Sequence, residues 1–322
     1  MPRPTLLIGL GQIGMGYDLM LDPAQHINTH ARAFSSHPAF TLIAAVDPSA
    51  PLRARFTDHY GQPAYATLHE ALARHAPEVV IIAAPTGMHA PLLSQLLQHP
   101  GITAILCEKP LAPTLDEARA MVSACHRAGT ALFVNYIRRV DAGVQEIARR
   151  IKSGQIARPI KGIVWYSKGL LHNGSHFINL LEFWLGPVTA TRVLDPGRTT
   201  PDNDREPDLH ITFQHGTMLF LAAWEEAFSH YTIELLSPSG RLRYEAGGSM
   251  INWQPAVADP LIAGYNMLQQ QAETIPNTMH LIQWHVADQL VAALAQQPAT
   301  LCTGHEALAT LETLHHLLNP QS

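Results

Sequence analysis

The stretch "TLLIGLGQIG" (5–14) decides the fold of the first half of this 322-residue chain. "TLLIGL" is a short apolar run typical of a buried strand, and the glycines that follow have the spacing G-x-G-x-x-G. In a dinucleotide-binding turn these glycines allow a tight turn, close approach of a pyrophosphate, and close helix–strand packing. N–H groups at the following helix start then bind the anion. The alternative is a structural turn without a ligand. We predict cofactor contacts from Gly9, Gly11, Gln12, Ile13 and Gly14.

Four further apolar runs share the character of the first. Each lacks alternation, as in parallel strands that are covered on both faces. Helical patterns lie between them, and the clearest covers residues 114–129, with a capping box at its start and a glycine at its end. Strands alternating with helices predict an α/β fold, a Rossmann doubly wound parallel sheet over residues 1–134. The four runs are "FTLIAAVD" (40–47), "EVVIIAA" (78–84), "ITAILCE" (102–108) and "ALFVNY" (131–136).

Asp47 closes the second predicted strand, where a ribose-binding carboxylate belongs. A carboxylate there favours NAD, because it would repel the 2′-phosphate of NADP; Arg53 and Arg55 lie close enough in sequence to keep NADP as the less favoured cofactor. Gly14 and Asp47 are 33 positions apart (47 − 14), whereas the usual interval is about 20. The excess lies in "MGYDLMLDPAQHIN" (15–28), which we interpret as an insertion before the helix "THARAFSSHP" and which could act as a lid.

The second half, residues 135–322, shows more alternation of apolar and polar residues. Its strands predict a C-terminal α+β domain with a large, mostly antiparallel sheet that buries one face. Tight turns are predicted at "QHG" (214–216) and "SPSG" (237–240), and two amphipathic helices close the chain. We expect the open face of the sheet to pair with another copy, which gives a homodimer or homotetramer.

Composition excludes several classes of protein. The net charge is −5 and no block of Lys or Arg occurs, so no nucleic-acid partner is expected. No segment approaches the roughly 20 apolar residues needed to span a bilayer, so no membrane partner is expected. Three cysteines without CxxC spacing indicate a reducing, cytoplasmic compartment and no zinc ribbon.

Four motifs together are typical of one family. The chain resembles the Gfo/Idh/MocA oxidoreductases, relatives of glucose–fructose oxidoreductase and inositol dehydrogenase, over nearly its whole length. The resemblance implies a cofactor, NAD or NADP, and hydride exchange with a secondary alcohol carbon of a sugar, cyclitol or sugar derivative. The motifs are "GLGQIG" (9–14), "AAPTGMHA" (83–90), "CEKPLAPTLDEA" (107–118) and "GSHFINLLEFWLG" (174–186).

The resemblance implies that Lys109 is the catalytic lysine between nicotinamide and substrate, with Glu108 beside the cofactor. An independent reason supports Lys109, because an ammonium at a strand's carboxyl end can stabilise a developing alkoxide. Pro85, Thr86 and His89 match the loop under the cofactor. His89 could equally be a helix-start residue without a ligand contact.

His176 matches the family's histidine that acts as general base and acid, and an imidazole suits that proton transfer. The family commonly has Asp four residues earlier, where this chain has His172, so the standard mechanism does not carry over unchanged. Spacing of i, i+4 could also bind zinc, but only two ligands are visible. Asn173–Gly174 indicates that the helix starts after His172, so no metal is predicted. Two structural histidines are the other alternative.

Arg138, Lys168 and Asn173 are candidate substrate contacts, together with His172 and His176. If Arg138 and Lys168 face the pocket, an acidic or phosphorylated sugar is expected; each could instead be a solvated surface charge. Two rival functions stay open. One is a glycoside hydrolase or lyase that uses NAD only transiently, and the other is a non-catalytic nucleotide-binding sensor.

Overall fold

The computed structural model describes residues 1–225 and 227–319. The chain divides into two compact units. The first contains Met1–Val140 and His280–Leu311, and the second contains Asp141–Met279 with the end of the C-terminal helix. The predicted division after residue 134 stays a prediction.

The α-helices of the described residues include the helix predicted over 114–129. Thr114 accepts a hydrogen bond from the Glu117 N–H and begins this helix, and Gly129 ends it in the left-handed conformation (φ 68°), as predicted. The helices are α1 (His30–Ser36), α2 (Ala50–Tyr60), α3 (Leu68–Leu72), α4 (His89–Leu96), α5 (Leu115–Ala128), α6 (Ala142–Ser153), α7 (Ser175–Leu185), α8 (Ile282–Leu294) and α9 (Gly304–Leu318).

The strands of the described residues form two sheets. They are β1 (Arg3–Ile8), β2 (Phe40–Val46), β3 (Ala64–Tyr65), β4 (Val79–Ile82), β5 (Ala104–Cys107), β6 (Ala131–Val134), β7 (Ile160–Tyr166), β8 (Val188–Thr199), β9 (Arg205–Phe213), β10 (Gly216–Ala222), β11 (Thr232–Ser237), β12 (Gly240–Glu245), β13 (Met250–Ala258), β14 (Asn266–Leu268), β15 (Glu273–Thr274) and β16 (Cys302–Thr303).

The first unit holds a seven-stranded sheet of order β16-β6-β5-β4-β1-β2-β3. All pairings are parallel except that of β16 with β6. Every residue of β4 and β5 is buried, as expected for strands that are covered on both faces. The predicted Rossmann sheet is therefore confirmed. The edge strand β16 was missed, because a strand of two residues leaves no pattern in the sequence.

The insertion at 15–28 contains no α-helix or strand. It begins within a single π turn, Gln12–Gly16, and ends at Thr29, which begins α1 as predicted. Asp18 is fully buried and anchors it, accepting hydrogen bonds from the Asn28 N–H (2.6 Å), the Thr29 N–H (2.9 Å) and the Thr29 hydroxyl (2.7 Å).

The second unit holds a nine-stranded sheet with the path β14-β13-β12-β11-β7-β10-β9-β8, and β15 pairs with β13. It is mostly antiparallel, as predicted, with one parallel pair between β7 and β10. Both predicted tight turns are confirmed, since β9 meets β10 and β11 meets β12 in hairpins. The helices α6 and α7 pack together, and the Trp184 indole donates a hydrogen bond to the Val144 carbonyl (3.1 Å).

Candidate active site

The glycine turn after β1 packs as its glycine spacing predicts. Gly9 has φ +99°, and a Cβ on Gly9 or Gly14 would collide with the carbonyl of Ala83 or of Gly9, respectively. A Cβ on Gly11 would meet no protein atom within 4 Å. Two of the glycines are thus required by the protein's own packing, and the third leaves the backbone open to a ligand. The residues present fit a dinucleotide, and the predicted cofactor contacts stay predictions.

A short turn directly follows the first glycines of this motif. Gln12–Gly16 form one π turn, in which the N–H groups of Met15 (2.9 Å) and Gly16 (3.1 Å) donate to the Gly11 carbonyl. The α-helix itself begins only at His30, after the insertion. The helix start thus lies after the insertion, as the predicted insertion before "THARAFSSHP" implies, and one π turn follows the glycines. The backbone N–H groups of one turn remain to bind an anion, because the first N–H groups of a turn have no partner inside it.

Asp47 lies buried after β2 and fixes the glycine turn. Its Oδ2 accepts a hydrogen bond from the Leu10 N–H (2.8 Å), and its Oδ1 accepts one from the Ser49 N–H (2.8 Å). Arg53 donates to the carbonyls of Asp47 (2.7 Å) and Pro48 (2.8 Å), so its guanidinium is bound to the main chain at the start of α2. The carboxylate thus sits rigidly where a ribose hydroxyl is expected.

Pro85 and Thr86 form a short loop after β4, and His89 begins α4. His89 is fully buried, with Nε2 2.9 Å from the Ala84 carbonyl and Nδ1 3.1 Å from the Leu111 carbonyl. Both ring nitrogens therefore face backbone oxygens of the protein itself. This geometry favours the structural alternative for His89, as a link between this loop and the segment after Lys109.

Glu108 and Lys109 follow β5 directly. The Glu108 carboxylate accepts hydrogen bonds from His30 (2.8 Å), Asn135 (2.7 Å) and the Lys109 N–H (3.3 Å). Burial would raise the pKa of Glu108, but the bonds from His30 and Asn135 and the charges of His30 and Lys109 outweigh it, so the pKa is lowered. A fixed carboxylate thus stands next to the predicted catalytic lysine. The contacts from His30 and Asn135 were missed, because no local signal connects these residues with Glu108.

Arg138 lies half-buried in the 3-10 turn Ile137–Val140, shortly after β6. Its neighbour Arg139 is buried and paired with Glu306 (2.5 Å). The two consecutive arginines therefore have different surroundings. Arg138 stays a predicted substrate contact.

In the second unit, His172 and His176 lie on two kinds of helical turn. His172 is exposed on the π turn Leu170–Gly174, and His176 is half-buried in the first turn of α7. The prediction that the α-helix starts after His172 is confirmed. Lys168, just before, has φ +62°, an uncommon conformation for a residue with a Cβ, and it turns the chain from β7 into the π turn.

Two carboxylates that the sequence did not reveal hold this turn. Asp204 is buried and accepts hydrogen bonds from the N–H groups of Leu171 (3.1 Å) and His172 (2.8 Å). Glu206, also buried, accepts from the Gly169 N–H (3.1 Å). Burial raises the pKa of Asp204, although backbone hydrogen bonds and the charge of His172 partly oppose the rise.

Asn173 completes the arrangement. Its side-chain amide donates to the Ser167 carbonyl (2.9 Å) and to the Tyr231 hydroxyl (2.7 Å). The amide nitrogen is thus occupied inside the protein, which gives Asn173 a role in holding the turn. Its contact with a substrate stays a prediction.

The predicted residues therefore fall into two groups. The first unit brings together the glycine turn, Asp47, the 85–89 loop and Glu108–Lys109 at the carboxyl ends of the adjacent strands β2, β1, β4 and β5. The second unit gathers Lys168, His172, Asn173 and His176 on one segment.

Across residues 1–225 and 227–319, no group of three or more His, Cys, Asp or Glu could hold a metal ion. None of the helices in those ranges has the length and hydropathy to cross a membrane.

Comparison with known proteins shows what the first unit is similar to. Residues 5–136 match the family model described as an oxidoreductase family with an NAD-binding Rossmann fold (GFO_IDH_MocA). D-apiose dehydrogenase of Paraburkholderia graminis is 33% identical over 129 residues, which cover 35% of this chain and 34% of that protein. Inositol 2-dehydrogenase of Leifsonia xyli subsp. xyli is 27% identical over 272 residues, 75% of this chain and 76% of that protein.

Residues 5–136 of this chain thus match the Gfo/Idh/MocA family of oxidoreductases. The crystal structure of an Agrobacterium radiobacter oxidoreductase with NAD+, L-tartaric acid and magnesium covers 98% of this chain and 95% of its own, with a TM-score of 0.75 at 18% identity. At that identity the match shows the fold alone. The predicted resemblance to this family is confirmed over residues 5–136, the predicted fold class is confirmed, and NAD is the cofactor that the description of the family names. The chain spans about a third of D-apiose dehydrogenase, so that protein's substrate does not transfer by similarity.

Proposed function

We propose that this protein is a Gfo/Idh/MocA oxidoreductase that acts as an NAD-dependent dehydrogenase or reductase. It would act on a secondary alcohol of a sugar, cyclitol or sugar derivative. One observation carries the proposal. The adjacent parallel strands β1, β4 and β5 end in the glycine turn, the 85–89 loop and Lys109, respectively. Carboxyl ends of neighbouring strands share one edge of a sheet, which is where such folds bind their ligands.

Bound nicotinamide would accept or donate the hydride. In the oxidation direction, the Lys109 ammonium would donate a hydrogen bond to the reacting hydroxyl oxygen and stabilise the negative charge that develops on it. His176 would accept the hydroxyl proton as the carbon–hydrogen bond breaks and the carbonyl forms. In the reduction direction the same proton would return from His176 to the oxygen.

The proposed cofactor is NAD rather than NADP. The supporting observation is the buried Asp47 carboxylate, held by two backbone N–H groups, where a 2′-phosphate would meet its charge. Arg53 is bound to main-chain carbonyls at the start of α2, so it is not poised on a flexible loop to receive that phosphate.

The substrate class is proposed to be polar and acidic or phosphorylated. Arg138 and Lys168 would supply the positive charges, and His172 and Asn173 would line the site. The position where the family commonly has Asp holds His172, and Asp204 lies at its backbone N–H. We propose that Asp204 provides the negative charge at this position.

The proposed assembly is a homodimer or homotetramer formed through the open face of the second sheet. Three large apolar side chains on that face are exposed: Ile163 (38%), Trp165 (40%) and Leu236 (50%). Such a patch is costly in water unless another surface covers it. Light scattering should show an oligomer that Trp165→Lys dissociates, and a monomeric unmodified protein would contradict the proposal.

All three cysteines are buried free thiols, which supports the proposed cytoplasmic location.

The experiment that tests the function begins with purified protein, denatured to release any nucleotide for identification. The native protein is then mixed with NAD and a panel of sugars, cyclitols, sugar acids and sugar phosphates, and NADH formation is followed. NADH production with one class supports the dehydrogenase. Glycoside turnover without net NADH would favour the transient-oxidation hydrolase or lyase, and nucleotide binding without any turnover would favour the sensor.

A further inference from the structure

Two polar side chains from distant parts of the first unit meet at Glu108. His30 begins α1, Asn135 follows β6, and both contact Oε1 of Glu108, at 2.8 and 2.7 Å. His30 is only 1% exposed and Asn135 only 2%. Polar groups buried to this extent normally have a defined purpose, because burying them without a partner is costly.

The hydrogen bonds of this cluster converge on one carboxylate. In the part of the chain that the structure describes, Nδ1 of His30 and Oδ1 of Asn135 are buried without a hydrogen-bond partner. The remaining titratable neighbour is Cys107, whose pKa is raised well above its ordinary value by burial and then by the Glu108 charge, so the thiol is neutral. Glu108 is therefore the one anion in the cluster, next to Lys109.

The insertion binds Thr29, the residue that precedes His30. Thr29 caps α1 with its side chain, and Asp18 binds both the N–H (2.9 Å) and the hydroxyl (2.7 Å) of Thr29. The Asp18 carboxylate is fully buried, so this anchor does not exchange freely with water. A chain of contacts thus runs from the insertion through Thr29 and His30 to Glu108, the residue before Lys109.

We propose that His30 is a positioning residue for Lys109, and that the insertion at 15–28 supports it through Asp18 and Thr29. His30 and Asn135 hold the Glu108 carboxylate in one orientation, so that its charge keeps the Lys109 ammonium protonated and placed for the substrate oxygen. The proposal rests on the proposed function only in naming Lys109 as catalytic. The contact chain also gives the insertion a structural purpose beside the cofactor turn.

The test uses the titration of Lys109, which needs neither substrate nor cofactor. The chain has only four lysines, Lys109, Lys152, Lys161 and Lys168. Reductive methylation with ¹³C-formaldehyde labels them together with the amino terminus, and NMR then follows each signal with pH. Lys109→Arg identifies the signal of interest.

Glu108→Gln should lower the titration midpoint of Lys109 by about 1 pH unit, because the opposite charge that interacts with the ammonium is lost. His30→Ala should lower it in the same direction, since the carboxylate is no longer held. The glutamine amide in His30→Gln can still donate to the carboxylate, so the Lys109 midpoint in this variant should lie close to that of the unmodified protein. Thr29→Val should give a smaller decrease.

The matched control is His37→Ala. His37 is also a buried histidine, at the other end of α1, but it pairs with Asp288 (2.9 Å). The His37→Ala variant should leave the Lys109 midpoint unchanged.

An unchanged midpoint in His30→Ala, alongside a shift in Glu108→Gln, would overturn the role of His30. If His30→Ala does not fold, Thr29→Val decides, and an unchanged midpoint there overturns the role of the insertion. Shifted midpoints in a protein that oxidises no sugar would refute the proposed function and leave this inference standing.

Discussion

The two groups of candidate residues are held in place in different ways. In the first unit, Glu108 and Lys109 directly follow β5, and Asn135 follows its parallel neighbour β6, so the contacts arise at adjacent strand ends. In the second unit, the segment with His172 and His176 is held by Asp204 and Glu206, which lie more than 30 positions away. Residues at the ends of parallel strands can be found from pattern alone. Residues that depend on the register of an antiparallel sheet cannot.

The largest expected effect is on catalysis, and it compares Lys109 of the first group with His176 of the second. Lys109→Ala should lower kcat/KM about 10³-fold, because charge on the developing alkoxide is no longer stabilised. His176→Ala should lower it about 10²- to 10⁴-fold through loss of proton transfer. Steady-state kinetics on the best substrate from the panel measure both losses.

NAD affinity provides the control for His176→Ala. It should change little in that variant, because His176 is not among the predicted cofactor contacts, whereas Lys109 is. Lys152→Ala, which removes an exposed lysine from α6, should leave kinetics and NAD affinity unaffected. A parallel loss of NAD binding and activity in His176→Ala would contradict the division of roles.

The second expected effect concerns the support of the second group. Asp204→Ala leaves two backbone N–H groups without an acceptor, which should lower the free energy of unfolding by about 1–3 kcal/mol. The π turn should also lose its fixed shape, so kcat/KM should fall roughly 10-fold, about 1.4 kcal/mol. Denaturant unfolding and kinetics check both numbers. Asp195→Ala, an exposed carboxylate on β8, is the control. If Asp204→Ala keeps full activity despite a loss of stability, Asp204 serves folding alone.

The third effect tests the first group at the cofactor. Asp47→Ala should weaken NAD binding about 10-fold through the lost hydrogen bond to the ribose, while NADP binding should stay unchanged or improve. Titration calorimetry with both nucleotides gives the ratio. Because Asp47 also holds the Leu10 and Ser49 N–H groups, Asp47→Asn distinguishes charge from structure. Equal weakening of NAD and NADP would show that Asp47 only shapes the turn.

Much of the first unit could be predicted because its signals are local. The run "TLLIGL", the glycine spacing and the capping box at Thr114 each specify a structure within a few residues. The position of the insertion was also predicted correctly. It lies between the glycine motif and the helical pattern that starts at Thr29.

What could not be predicted depends on contacts between distant residues. The pairing of Cys302 with Val134, which adds β16 to the first sheet, joins segments far apart in sequence. The π turn at His172 exists because Asp204 binds its N–H groups, and a helical pattern cannot show an extra residue per turn. The link from His30 to Glu108 is likewise a tertiary contact. In each case the missing information is register or packing rather than propensity.

The smallest expected effect compares the two carboxylates directly, because their pKa values are shifted in opposite directions. The pKa of Glu108 is lowered from its ordinary 4.5, so in the folded protein it binds fewer protons than in the unfolded chain. Its contribution to stability is fully present above pH 4.5 and is lost as the pH falls through the folded value. The pKa of Asp204 is raised from 3.8, so the folded protein binds more protons there than the unfolded chain does. The contribution of Asp204 to stability is fully present below pH 3.8 and is lost as the pH rises through the folded pKa.

Unfolding free energies between about pH 3.5 and 6.5 should therefore separate the two groups. The difference between the unmodified protein and Glu108→Gln should grow with pH, whereas the difference from Asp204→Asn should shrink. Neither slope can exceed about 1.4 kcal/mol per pH unit, the limit for one titrating group. Two slopes of the same sign would mean that both carboxylates are held alike. That result would remove the physical distinction between Glu108, whose charged form is stabilised by hydrogen-bond donors, and Asp204, whose pKa is raised by burial.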